Sequence, residues 1–224
     1  MAGESRLVQV ELPDVTLEGN LILPARAAGV VLFAHGSGSS RHSPRNRFVA
    51  EQLQSAGFAT LLIDLLTADE EAIDTQTREL RFDIGLLAER VVGAVDWLGR
   101  EQGTAALPIG CFGASTGAAA ALVAAARRSE AVAAVVSRGG RPDLAGAALE
   151  QVSAPTLLIV GGDDSVVIRL NRQALEQLAA PIKQIVIVPG ASHLFEEPGT
   201  LEVVAQHAAA WFTQHLRETT DAIP

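Results

Sequence analysis

Short apolar runs alternate along this chain with longer stretches in which apolar residues recur every three or four positions. Residues 8–11 and 16–23 flank a Pro13-Asp14 turn and predict an antiparallel hairpin. Six further runs, each bounded by turn residues, predict strands over 29–34, 59–63, 107–112, 131–137, 156–160 and 184–188. Between them, helical periodicity covers 46–56, 79–100, 115–128, 169–179 and 201–216. In the second of these, Leu80, Ile84, Leu87, Val91, Val95 and Leu98 fall on one face at three- and four-residue steps. The stretch 65–76, with Asp69, Glu70, Glu71 and Asp74 and no such stripe, reads as a polar surface loop.

Strands that alternate with helices predict an α/β fold with a mostly parallel central sheet and helices on both faces. The apolar runs are nearly continuous rather than alternating, as expected of strands buried on both sides. No repeat, low-complexity segment or linker interrupts the pattern, so residues 1–224 are expected to form a single domain.

Composition narrows the class of protein. A chain of 224 residues with 48% hydrophobic content is enough for one substantial core. The net charge of -9 and a pI near 5.0 argue against a nucleic-acid surface, and the arginines form no basic stripe. Cys111 is the single cysteine, so no internal disulfide framework is available. It lies within a predicted strand and reads as a small buried hydrophobe. No apolar run approaches the ~18 residues of a membrane span. The N-terminus lacks the pattern of a signal peptide. The expected setting is therefore cytoplasmic, with no membrane partner; nothing in the sequence indicates an oligomeric state.

The candidate chemistry lies at the carboxyl ends of the predicted strands, where open α/β sheets bind ligands. Gly113-Ala-Ser115-Thr-Gly117 follows the run ending at Phe112 and precedes an alanine-rich helix. A serine on such a strand-to-helix turn has its hydroxyl thrust out of the backbone, and the flanking glycines remove clashing side chains. Asp163 and Asp164 follow the run 156–160, and His193 follows 184–188. A serine hydroxyl needs a base to take its proton, and an imidazole base needs a carboxylate to fix its tautomer. Asp143, in Arg-Pro-Asp after the preceding strand, reads as a carboxylate at a helix N-terminus. His207 and His215 fall on the last helix and read as surface or packing residues. His42 sits in a loop that overhangs the site.

With His35-Gly36-Ser37-Gly38, Gly113-Ala-Ser115-Thr-Gly117, Gly161-Gly-Asp-Asp164-Ser-Val-Val167 and Gly190-Ala-Ser-His193, the chain resembles an α/β-hydrolase. Within that superfamily it is similar to the dienelactone hydrolase family, over nearly its whole length. The resemblance implies a catalytic triad of Ser115, Asp164 and His193. The family spacing of a glycine, two residues, the acid, two residues and a valine favours Asp164 over Asp163. It also implies that His35 shapes its loop and is not the base. Dienelactone hydrolases proper carry a cysteine as nucleophile, and here Ser115 holds that position, which points to a serine esterase-like hydrolase.

Acyl transfer also needs two donors for the oxyanion. The backbone N–H of Thr116, next after the nucleophile, is one by motif, and that of Ser37, in the Gly-Ser-Gly loop, is the expected second. A phosphate-cradling role for that loop fits poorly, since neither Gly-Lys-Ser/Thr nor G-x-G-x-x-G spacing is present. Arg41, Arg45 and Arg47 follow the loop, and Arg138 stands at a strand end on the same rim. Arginines hold carboxylates bidentately, so Arg138, Arg41 and the loop residue His42 are candidates for substrate contact. No metal or organic cofactor is implied. Fewer than about 20 residues separate the runs 131–137 and 156–160, so no large cap domain is expected.

The function read from this set is a serine-dependent carboxylic ester hydrolase acting through an acyl-enzyme on small or flexible esters. A lactone hydrolase of the dienelactone type, or an acyltransferase or perhydrolase, would use the same triad. A non-catalytic hydrolase-fold binding protein is the reading from another class.

Overall fold

The computed structural model describes residues 4–216. Its strands are β1 (Glu4–Glu11), β2 (Thr16–Leu23), β3 (Val30–Ala34), β4 (Ala59–Ile63), β5 (Ile109–Ala114), β6 (Val132–Arg138), β7 (Thr156–Gly161) and β8 (Lys183–Val188). Its helices are α1 (Pro44–Ser55), α2 (Ala68–Thr77), α3 (Ile84–Leu98), α4 (Thr116–Arg127), α5 (Ser165–Gln177) and α6 (Thr200–His215). The strands form one eight-stranded sheet in the order β1-β2-β4-β3-β5-β6-β7-β8. The hairpin β1–β2 joins β4 antiparallel, and the pairings from β4 and β3 through to β8 are parallel.

The continuous apolar runs are explained by two cores, one on each side of the sheet. In β3, Val30, Leu32 and Ala34 pack toward one face, with Leu87, Val91 and Val95 of α3 and Ala120 and Ala124 of α4. Val31 and Phe33 point the other way, to Val49 and Leu53 of α1 and Ala208 and Phe212 of α6. Successive side chains of a strand leave on opposite faces, so both sets must be apolar when both faces are covered. At Gly110, an added Cβ would lie 2.6 Å from the Phe212 ring, so the absent side chain lets α6 pack closely on β5.

The polar stretch 65–76 is not a loop. Its larger part is α2, started by a capping box in which Thr67 Oγ1 accepts from the Glu70 amide and Glu70 accepts from the Thr67 amide. Asp69, Glu70 and Glu71 lie in the first turn, where acidic groups complement the helix dipole. Two of the polar side chains are engaged rather than solvated: Glu70 holds Arg90, and buried Asp74 holds Arg81. The predicted helix 79–100 is divided as well. Arg78 closes α2 in a left-handed conformation, a short 3-10 turn covers Leu80–Phe82, and the Asp83 side chain caps α3 by accepting from the Leu86 amide. Between β6 and β7 stands only the 3-10 segment Pro142–Gln151, so no cap covers the strand ends there.

Candidate active site

Ser115 sits between β5 and α4 with φ +50° and ψ -121°, a conformation that L-residues seldom adopt. It is held there by its surroundings. The Ser115 amide donates to Arg138 O, and its carbonyl accepts from the Ala118 and Arg141 amides. Gly113 and Gly117 make the turn sterically possible. A Cβ at Gly113 would lie 2.4 Å from Ala118 Cα, and one at Gly117 2.3 Å from Ala34 O and 2.4 Å from His35 O. Because these obstacles are backbone atoms, Gly117→Ala must push α4 away from β3. We expect a loss of about 2–4 kcal/mol in urea unfolding, and an unchanged midpoint would contradict this account of the turn.

Asp164 and His193 meet through a short hydrogen bond. His193 Nδ1 and Asp164 Oδ2 are 2.8 Å apart, with side-chain exposures of 38% and 16%. The other carboxylate oxygen of Asp164 accepts from the Val167 amide at 3.2 Å, so the same side chain caps α5 and orients the ring. An ionised carboxylate only accepts, so Nδ1 carries the proton and Nε2 is left free as a base. Asp163 is exposed, and its only hydrogen bond here is from its own amide to Ala191 O. Asp143 is engaged by the guanidinium of Arg141. His207 and His215 lie on α6, the latter with its ring 4.5 Å from that of Trp211.

Ser115, His193, Ser37 and Arg138 line one pocket of about 210 Å³, together with Gly36, Arg45 and Leu194. No hydrogen bond joins Ser115 to His193 here, and such bonds commonly tighten only when a substrate is bound. The loop after β3 lies directly on Ser115, since a Cβ at Gly36 would fall 2.9 Å from Ser115 Cβ. Neither the Ser37 nor the Thr116 amide donates to a protein acceptor, which leaves both free for an anionic oxygen.

His35 fixes that loop. Its Nδ1–H donates to Gly36 O at 2.9 Å, and its Nε2 accepts from the Leu65 amide at 3.0 Å. Burial holds the ring below its ordinary value, and the same hydrogen-bond pattern requires it to be neutral. The unfolded chain takes up a proton on this ring near pH 6.5 that the folded chain refuses. Stability from the neutral ring is therefore complete above that pH and declines as pH falls below it. In His35→Gln the unfolding free energy should lose up to about 1.4 kcal/mol per pH unit of its slope as pH falls below about 6.5. Urea titrations at several pH values would read this, and an unaltered slope would contradict it.

Two of the candidate substrate contacts are not brought to Ser115. Arg41 and His42 line a neighbouring cavity of about 620 Å³. The Arg41 guanidinium is already held by Asp64 and Glu18, with Asn20 as a further acceptor, and so ties the loop to β2 and β4. Cys111 is buried, and burial pushes its thiol up to about 12, so it stays protonated and unreactive. Arg81 was not singled out by sequence. Held by Asp74, it lies against the loop at Gly38, where a Cβ would be 3.1 Å from its guanidinium. No short-range pattern marks that pair, because the contact is made by the fold.

Among the described residues, no group of three or more His, Cys, Asp or Glu is placed to hold a metal ion. No helix among them is long and apolar enough to cross a membrane.

The model of the "Dienelactone hydrolase family" matches residues 17–220. A crystal structure of a dienelactone hydrolase from Anabaena variabilis is 64% identical, covers 97% of this chain and 100% of that one, and superposes with a TM-score of 0.95. An esterase from Pyrococcus furiosus shares the fold, with 17% identity, coverage of 96% of this chain and 92% of that one, and a TM-score of 0.78. Two Mycobacterium tuberculosis proteins named "Putative phosphoribosyl transferase" are 60% identical over 210 residues, which is 93% of this chain and 46% of theirs. The chain thus spans about half the length of the curated relatives it matches.

Proposed function

This chain belongs to the dienelactone hydrolase family, and from that premise we propose that it is a serine-dependent carboxylic ester hydrolase working through an acyl-enzyme. Ser115 Oγ attacks the ester carbonyl carbon as His193 Nε2 takes the hydroxyl proton. Asp164 keeps the imidazole oriented and stabilises the imidazolium that forms. The carbonyl oxygen becomes an oxyanion within reach of the Ser37 and Thr116 amides, each such donor contributing about 3–4 kcal/mol. The bond to the alcohol then breaks, and the alcohol leaves with the proton from His193. A water molecule, deprotonated by His193, attacks the acyl-enzyme and releases the acid, and the proton returns to Ser115. These steps call for no metal or organic cofactor.

The observation that carries this reading is the Asp164–His193 hydrogen bond of 2.8 Å at a pocket shared with Ser115. It supplies a base of defined tautomer in the same pocket as the half-buried Ser115 on its strained turn. The short connection between β6 and β7 favours small or flexible esters, because nothing there encloses a long acyl chain. Lactone hydrolysis is the second reading, favoured by the 64% identical dienelactone hydrolase. The transferase name of the mycobacterial relatives is not carried over, since the chain covers only 46% of those proteins. Rates on p-nitrophenyl acetate and butyrate, beside a set of lactones and with alcohol acceptors, test the assignment. Saturable ester turnover is the expected result. A protein that consumes no ester or lactone and transfers no acyl group would instead be a binding protein.

A further inference from the structure

The Ser37 amide can serve an oxyanion only if its loop keeps one conformation, and the loop is held from more than one side. At its entry, buried His35 links Gly36 O to the Leu65 amide. Across it, the Ser39 amide donates to Gly36 O at 3.2 Å. Gly38, third in this four-residue turn, has φ +66°, as a type II turn requires. Behind the turn stands Arg81. A Cβ added at Gly38 would lie 3.1 Å from Arg81 Nη1 and 3.9 Å from its Cζ, so the guanidinium backs directly onto the turn.

Arg81 is itself fixed. Its Nε donates to Asp74 Oδ2, its Nη2 to Asp74 O at 3.2 Å, and its amide to Asp74 Oδ1 at 3.0 Å. Asp74 is fully buried on α2, so Arg81 cannot swing away without stranding a buried charge. These bonds use Nε and Nη2, while Nη1 is the nitrogen turned to Gly38. Arg81 also reaches the small void of about 10 Å³ that both expected oxyanion donors, Ser37 and Thr116, line beneath the loop. A void of that size has room for little more than one water, so the turn cannot fall back while Arg81 is in place.

We propose that Arg81, clamped by Asp74, is a positioning residue that braces the turn 36–39 from behind and so aims the Ser37 amide at the oxyanion. The inference rests on the serine hydrolase reading of the Ser115 pocket. Arg81 touches no reacting atom in this role and acts through the loop. Truncating it opens space into which the turn can rotate, carrying the Ser37 amide off its target. That amide meets full negative charge only in the transition state, so the loss falls on kcat and not on KM.

The test compares Arg81→Ala with wild type, using p-nitrophenyl butyrate as substrate and a trifluoromethyl ketone of similar chain length as inhibitor. Ser115 Oγ adds to the ketone carbon, its proton passes to His193, and the ketone oxygen becomes an oxyanion. The inhibition constant therefore reads the oxyanion site. In Arg81→Ala, kcat should fall about ten- to a hundredfold, with KM changed less than about threefold and the inhibition constant raised in step with the fall in kcat/KM. Arg81→Lys keeps a cation beside Asp74 without the planar fork, and should recover part of the loss. Melting curves verify folding, and complete fluorophosphonate labelling counts the active sites to which kcat is referred. If Arg81→Ala does not fold, Arg81→Lys must still lower kcat and weaken the ketone together. Wild-type kcat in folded Arg81→Ala, a loss confined to KM, or a fall in kcat with the ketone bound as tightly as before overturns the bracing role and keeps the hydrolase. A wild type that neither turns over the ester nor binds the ketone removes both.

Discussion

Ser115→Ala is expected to lower kcat for p-nitrophenyl butyrate by about 10⁶ while leaving the protein folded. The size of the effect follows from the division of labour in the site. In the proposed mechanism every proton transfer by His193, and the support it has from Asp164, serves an acyl-enzyme that only the Ser115 hydroxyl can form, so removing that hydroxyl silences all three together. What remains is the oxyanion pair and binding, which in comparable sites leaves about 10³–10⁴ over the uncatalysed rate. Folding should survive because the unusual backbone of residue 115 is imposed by hydrogen bonds from and to its main chain, with Arg138, Ala118 and Arg141. The Ser115 side chain makes no capping hydrogen bond to α4 that alanine would forfeit. A variant with wild-type turnover and wild-type melting would remove Ser115 from the chemistry.

The second large effect concerns the acid. Asp164→Asn should reduce kcat by about 10⁴ with little change in stability. The reason lies in the two uses of this side chain. One oxygen accepts from the Val167 amide, and Asn can keep that bond and remain a good helix cap. Its NH₂ group then faces His193 Nδ1, where the carboxylate oxygen now stands at 2.8 Å. An NH₂ donor there forces Nδ1 to accept, which moves the ring proton to Nε2 and blocks the base. Asp163→Asn, at an exposed neighbour with no side-chain contact to the histidine, should alter kcat less than about twofold. Equal losses in both variants would contradict the assignment of the acid.

The parallel strands could be read from sequence because burial on both faces demands near-continuous apolar runs, and these survive in β3 and β5 through β7 with most side chains buried. Helix α2 was hidden because its polar residues are used in place of an apolar stripe, although the Thr67-x-x-Glu70 capping signature was present in the sequence. The break at Asp83 was masked by Leu80 and Ile84, whose spacing continues the stripe of α3 across the cap. At the site, Ser115, Asp164 and His193 were legible because each follows a strand at the same edge of the sheet. The arginines were legible in part. Arg138, at a strand end on that rim, lines the pocket with Ser115, whereas Arg41 in the loop does not. Their partners were not legible: Asp64 and Glu18 occupy Arg41, while only a neutral Asn46 reaches Arg138. Such pairings depend on the whole fold, so no local spacing announces them.

Whether Ser115 is the nucleophile is tested most directly by mass spectrometry of the protein after brief exposure to a fluorophosphonate. The expected result is one adduct per chain, carried by the peptide that contains Ser115 and strongly reduced in His193→Ala. Absence of an adduct in protein that hydrolyses esters, or an adduct on any other residue with loss of that activity, would contradict the account.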